Sequence, residues 1–297
     1  MYKMMLLTGL LLVCSLAIVA LPLDDVIGQA DALNEQDEHS QAIELLESAL
    51  PEVSNSEERA EIFWRLSRAH LQLGDQRKKD GSSEDQLLSI FENGGNYANQ
   101  AIEADPANVN GYFWKSTNIG RWGQTKGIYE SLTKASEMRD LLIESIDIDS
   151  EHADSYFVLS QLYAAVPRLI SFGNNDYAVN LARKSIALME EQISTGARDF
   201  ASYSFYITLA EALNERGWSQ RKRNREHQRR IADYQAATSP LERGWYYEGT
   251  ISIPEMPDTQ EAEMILRDII QQIERKPNPR IHDLRDLDDA RTLINEL

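Results

Sequence analysis

Two stretches fifty residues apart carry the same order of side-chain sizes, Ile62-Phe63-Trp64-Arg65 and Tyr112-Phe113-Trp114-Lys115. Internal recurrence on this scale restricts a chain to few architectures. Each copy is one supersecondary unit that cannot bury its apolar stripe alone and must stack on the next. The spacing within the copies is helical. From Ala153 to Leu188, Tyr156, Leu159, Ser160 and Tyr163 recur at three- and four-residue steps, and Ala178 with Ala182 do the same on a second helix. Another copy starts at Ala60, with Phe63, Leu66, Ser67 and His70 at the same offsets and Gly74 at the turn. Its second helix, predicted over Gln86 to Ala104 after the polar stretch Arg77 to Asp85, stops at Pro106, which has no N–H to donate.

A further unit opens at Asn110, with Ser116 and Gly120 where the other copies carry larger residues. Its second helix is expected over Leu132 to Ile148 and closes at Asp149-Ser150. A pair at Leu23 to Asn34 and His39 to Leu50 precedes these. Ala201 to Gly217, followed by a long polar helix from Ser219 to Ala237, reads as the last hairpin. This order of residues resembles the tetratricopeptide (TPR) signature, a helical hairpin of roughly 34 residues. The expected fold is therefore all-α: a TPR-like solenoid of about five hairpins spanning residues 21–238. Residues 239–297 would form an aromatic and proline-rich connection, Ser239 to Pro257, covering one end of the solenoid, then a capping pair, Thr259 to Arg275 and His282 to Glu296.

Residues 4–23 form an uncharged run after Lys3, which reads as a signal peptide over residues 1–20 or a short membrane anchor. The run is short for a bilayer span of roughly 20 residues, and Ile18-Val19-Ala20 offers a cleavage site. Lipidation at Cys14 is the third alternative, although Val13 stands where a small residue is usual. Removing residues 1–20 takes one Lys and no acid, so the net charge of -18 becomes -19, and no cysteine is left for a disulfide. So acidic a chain is expected to have no general affinity for nucleic acid.

No chemistry of catalysis is legible. The histidines His39, His70, His152, His227 and His282 lie in different repeats without metal-ligand spacing. There is no nucleophile elbow and no phosphate-cradling loop, and Gly94-Gly95 reads as helix packing. The expectation is no enzyme, no cofactor and no metal. Binding is the positive signal, because the first helix of each hairpin lines the inner surface. Counting from the matched aromatics, that concave face is expected to include Trp64, Arg68, Gln72, Trp114, Asn118, Arg121, Phe157 and Gln161. Aromatics beside arginine and amides suit a partly apolar, partly anionic or polar ligand. The aromatics could equally fill space between hairpins. The basic run Arg221 to Arg230 reads as either a docking strip or a solvated face paired with acids.

Between the helices of the best-matched hairpin lies Val166-Pro167-Arg168-Leu169-Ile170-Ser171-Phe172-Gly173. With the Trp-basic first helices, this insertion resembles the bacterial TRAP-transporter-associated TPR lipoproteins, the T component, and is also similar to the regulator-of-microtubule-dynamics proteins. The resemblance spans most of Ala60 to Leu213. It implies a periplasmic superhelix with a groove or pore that associates with the substrate-binding protein of a small-molecule uptake system, and that could form a homo-oligomer or be tethered to the membrane by its N-terminus. Pro167, Ser171, Phe172 and Gly173 are read as a structural insertion, with Gly173 at positive φ and Phe172 plugging a gap between hairpins. The function expected is a non-catalytic, exported TPR scaffold engaging a partner protein or small ligand on its concave face. A self-assembling structural envelope protein is the alternative.

Overall fold

The computed structural model describes residues 22–169 and 171–297. The signal-peptide reading of residues 1–20 and the alternative at Cys14 lie outside the described residues. The helices pair in chain order: α1 Leu23–Glu35 with α2 His39–Ala49, α3 Ser56–Lys79 with α4 Glu84–Ala104, α5 Val109–Lys126 with α6 Ile128–Ile148, and α7 Ala153–Ala165 with α8 Asn175–Ser194. Local chemistry sets their starts. Asn55 Oδ1 accepts from Glu58 N at 3.0 Å, Asn108 Oδ1 from the amides of Asn110 and Gly111, and Ser83 closes a capping box with Gln86. The polar stretch after Gly74 is mostly helix. Arg77, Lys78 and Lys79 complete the last turn of α3, where cations favour the helix C-terminus, and the connection shrinks to residues 80–83.

Each second helix packs on the first helix of the next unit, and α3 touches α5 as α7 touches α9, Ser204–Arg216. The first helices thus share one side, the concave face of an all-α, TPR-like solenoid. Two apolar cores fill it. One joins Ala30, Leu46, Ile62, Phe63 and Leu66, and the larger runs from Phe113 to Ala290, with Trp114 packed against both.

The last unit departs from the sequence expectation. The helix α10, Gln220–Ala236, does not form a hairpin with α9; its neighbours are α11, Pro240–Trp245, and the 3-10 turn Tyr247–Thr250. The place beside α9 belongs to α12, Asp258–Glu274. The reason is apolar pattern. Ala262, Leu266, Ile269 and Ile273 of α12 form a buried stripe at helical spacing, whereas the buried residues of α10 are Arg223 and Arg230. A helix without an oily stripe cannot replace one that has it.

The segment between α9 and α12 lies on α8, with α11 also reaching α6. Trp245 stacks on Tyr177 at 4.8 Å between ring centroids. The aromatic connection therefore covers the outer flank of the fourth hairpin and not an end of the solenoid. The final helix, α13, Ile281–Glu296, packs on α12 and α9, and its Arg285 meets Asp37 in the α1–α2 turn at 2.7 Å, joining the two ends of the array. No described helix is long and apolar enough to cross a membrane.

Candidate functional site

The first-helix face divides into two parts. In the N-terminal part, the residues predicted to line a groove are largely tied to neighbouring helices. Asn118 is 1% exposed and reaches from α5 to α3, with Nδ2 2.9 Å from Trp114 O, 3.0 Å from Ser67 Oγ and 3.3 Å from Ser67 O. Its fit depends on Gly94 of α4, where a Cβ would sit 2.2 Å from Asn118 Oδ1. Asn118 is thus a packing residue, contrary to its expected place in a groove. The same correction applies to Trp64, which is buried in the N-terminal core beneath the guanidinium groups of Arg65, at 4.0 Å, and Arg68, at 5.2 Å.

Arg68 pairs with Asp31 of α1. The Asn34 amide, with its nitrogen toward Gln72 Oε1 at 3.1 Å and His39 Nδ1 at 2.9 Å, takes Arg68 Nη2 on its oxygen at 3.0 Å. Arg68 and Gln72 therefore clamp α1 onto α3. His39 sits in this network, and burial lowers its pKa from the ordinary histidine value against the opposing pull of Asp37. Arg121 is half free: its Nε lies 2.9 Å from Asp75 Oδ1, and its side chain is 42% exposed. Trp114 is half-buried at the seam of the two cores. With Arg68 tied to Asp31 and Arg121 partly held by Asp75, this part of the face leaves little free cation for an anionic ligand.

The C-terminal part is open. Phe157 stacks on Phe205 at 4.3 Å with the rings 9° from parallel, and Gln161 Nε2 donates to Thr208 Oγ1 at 3.1 Å. Beyond them a groove of about 250 Å³ runs between α7, α9 and α13, lined by Gln161, Ser204, Ile207, Thr208, Glu211, Asp289, Thr292, Leu293 and Glu296. Its character is acidic. Burial, with Asp289, Glu215 and Glu296 nearby, pushes the Glu211 carboxyl above the usual carboxylate range. Burial likewise raises Asp286 to about 6; Asp289 and Asp283 add to this, and the backbone amide of Ser204, which donates to Asp286 Oδ2 at 3.2 Å, opposes it. Of the eight residues predicted for the concave face, Gln161 alone lines this groove. The carboxylates of α13 escape the sequence reading because that helix reads as a cap, remote from α7.

The insertion between α7 and α8 is a tight crossover. Ser171 N donates to Pro167 O at 3.0 Å and Asn174 N to Tyr163 O at 2.9 Å, while Pro167 and Ser171 face solvent. Gly173 does not have positive φ. Glycine is required there because a Cβ would stand 1.5 Å from Val166 O, where the chain passes itself. Phe172 packs edge-on against Tyr163 of α7 at 5.4 Å, below the guanidinium of Arg139 of α6 at 4.7 Å.

The basic run holds a feature that the sequence reading missed. Arg223 and Arg230 of α10 and Arg216 of α9 are buried, with Arg183 of α8 nearly so, facing Asp176, Glu248, Asp258 and Glu261. Arg216 Nε lies 2.8 Å from Asp258 Oδ2 and its Nη1 2.8 Å from Glu248 Oε2; Arg183 Nη2 lies 2.8 Å from Glu261 Oε2. Burial alone would raise the Glu248 pKa, but Arg216 and Arg183 hold it well below the ordinary value. Arg221, Arg225 and Arg229 remain exposed, so the run is neither wholly a docking strip nor wholly a solvated face. The legible signal was the seven-residue step from Arg223 to Arg230, which puts both on one face of α10. Among the described residues, no cluster of His, Cys, Asp and Glu could hold a metal ion.

Paired helices in series, a shared first-helix face and a groove along it define a TPR-like protein. Residues 26–171 match the family model described as Regulator of microtubule dynamics protein 1-3. The chain is similar to Regulator of microtubule dynamics protein 1 of Bos taurus, 26% identical over 137 residues, which is 46% of this chain and 41% of that protein. It therefore spans about two-fifths of the length of that relative. A crystal structure of a thermophilic TPR protein of Thermus thermophilus covers 77% of this chain and 100% of its own, with 15% identity and a TM-score of 0.49.

Proposed function

We propose that this chain is a non-catalytic scaffold that engages a partner protein on its concave face, in the groove between α7, α9 and α13, and that the partner presents a basic segment there. The observation that carries the reading is the groove itself: Glu211, Asp289 and Glu296 beside Ile207 and Leu293, on a chain of net charge -18. Carboxylates around an apolar floor suit a peptide with lysine or arginine next to an aliphatic residue, and opposite charge speeds the encounter. Stacked repeats commonly use their concave surfaces in this way. The compartment we propose is the bacterial periplasm, and the partner the substrate-binding protein of a small-molecule uptake system. Both rest on the uncharged run of residues 4–23 and on the likeness of the insertion.

The test is titration calorimetry of the full chain with a lysine- and arginine-rich peptide, comparing the native protein with a Glu211→Gln, Asp289→Asn, Glu296→Gln variant. Binding should weaken at least about tenfold in the variant and fall with added salt. Equal affinity for both proteins would overturn the reading. Precipitation of partners from a periplasmic extract with the same two proteins tests the compartment and the partner class.

A further inference from the structure

A second cavity, of about 300 Å³, opens where α7 turns into α8 and α9 into α10, away from the concave groove. Its walls include Arg168 from the insertion, Asn174 and Asp176 at the start of α8, Arg216 at the end of α9, and Trp218 and Lys222 at the start of α10. Its floor is electrically balanced. Asp176 Oδ1 meets Arg216 Nη1 at 3.2 Å and its other oxygen is held by Arg230, so this carboxylate does not repel an anion. The four arginines and four carboxylates of the network cancel one another. Arg168 and Lys222 are what remains.

Neither side chain has a hydrogen-bond or ion-pair partner among the described residues, although the chain carries 48 acids against 30 bases. Lys222 Nζ is placed 4.3 Å from the centroid of the Trp218 ring, whose π-face also meets Arg216 at 4.5 Å. Asn174 Oδ1 accepts from the amides of Asp176 and Tyr177, which leaves its amide nitrogen as a donor. A guanidinium fork, an ammonium and a side-chain amide around a cavity at the small end of the ligand-pocket range match one chemistry. We propose that this cavity binds a small oxyanion, the group shared by phosphate monoesters and carboxylates. Arg168 grips it through two N–H groups, Lys222 neutralises it, and the buried network fixes the wall on which Trp218 and Lys222 stand. The site is independent of the concave groove, so either assignment can fail without the other.

The experiment follows the Trp218 indole N–H signal of the full chain by NMR, assigned with Trp218→Phe, during titration with inorganic phosphate, acetate or, at matched ionic strength, chloride. Saturable shifts with phosphate or acetate and a Kd on the order of millimolar are expected. Whichever of the two binds more tightly names the source of the oxyanion. The Arg168→Gln, Lys222→Gln variant, and each single substitution, should weaken binding, the double at least about tenfold. Arg221→Gln, on an exposed neighbour outside the cavity, should leave it unchanged. A response to phosphate and acetate no greater than that to chloride, an unchanged double variant, or equal weakening by Arg221→Gln would overturn the proposal.

Discussion

Two joints of this molecule are built from arginines and carboxylates, and they differ in what surrounds the charges. Between α1 and α3, Arg65 and Arg68 reach Asp31, while Arg65 also holds Glu61 at 2.6 Å; the two acids are 37% and 39% exposed. Between α8, α9, α10 and α12, Arg183, Arg216, Arg223 and Arg230 meet Glu248, Asp258 and Glu261, which are almost without solvent. Exposed pairs of the first kind contribute roughly 0–1 kcal/mol and are screened by salt. In the second, desolvation is expensive, and it is offset only while every charge keeps its partners. The joints therefore divide the labour differently. Apolar fit among Leu46, Ile62 and Leu66 holds the first pair of hairpins, and charge decorates it. For α10, which has no apolar stripe, buried arginines are the means of attachment.

The largest effect is expected where that attachment is cut. Glu248→Ala leaves Arg183, Arg216 and Arg230 short of a partner in a dry interior and should cost ~3–5 kcal/mol in urea unfolding. A loss below ~1 kcal/mol would erase the distinction between the joints. The pH dependence gives a second reading. The folded pKa of Glu248 is depressed, so its contribution is present above the unfolded value and is lost as pH falls through the acid range toward the folded one. Unfolding measured from pH 7 downward should show that loss in the native protein and less of it in Glu248→Gln.

Much of the fold was legible because size and spacing are local properties. Both ends of α1 and α2, the starts of α5 and α7 and the close of α9 lie near their predicted places, and Pro106 stops α4 as proline should. What failed depended on distant sequence. The step from Arg223 to Arg230 puts two cations on one face of α10, but their partners Glu248, Asp258 and Glu261 arrive only after a connection whose path no local pattern describes. Adjacency made α10 the natural partner of α9, and α12 took that place through Leu266, Ile269 and Ile273. Repeat spacing assigns Asn118 to a free face, although α5 is packed by α3, α4 and α6, which leaves it little face to spare. At the groove, Gln161 was in reach of a repeat argument, while Asp289 and Glu296 were not, because they come from the last helix folding back.

Asp286 sharpens the comparison from the opposite side, as a carboxylate without an arginine. Its folded pKa is raised to about 6, chiefly by burial, so its stability contribution is full below the unfolded value and disappears as pH rises through about 6. Asp286→Asn keeps an oxygen for the Ser204 amide and removes the penalised charge. Thermal or urea unfolding should find the variant more stable than the native protein by ~1–2 kcal/mol at pH 8, after solvent screening, and nearly equal to it at about pH 3, below the unfolded value. A variant that is less stable at pH 8 would mean that the carboxylate is paired there in a way its surroundings do not indicate.

The smallest effect is expected at the first joint. Asp31→Asn removes the shared carboxylate of Arg65 and Arg68, yet neither guanidinium is stranded: Arg65 keeps Glu61, and Arg68 keeps the Asn34 oxygen at 3.0 Å. Both also stay over the Trp64 ring, and water reaches the site. The loss should be under ~1 kcal/mol and should shrink further in ~1 M salt, where the screening length falls to about 3 Å. A loss above ~2 kcal/mol that salt does not reduce would show that the clamp on α1 is desolvated in solution, and the two joints would then be the same device at two places in the chain.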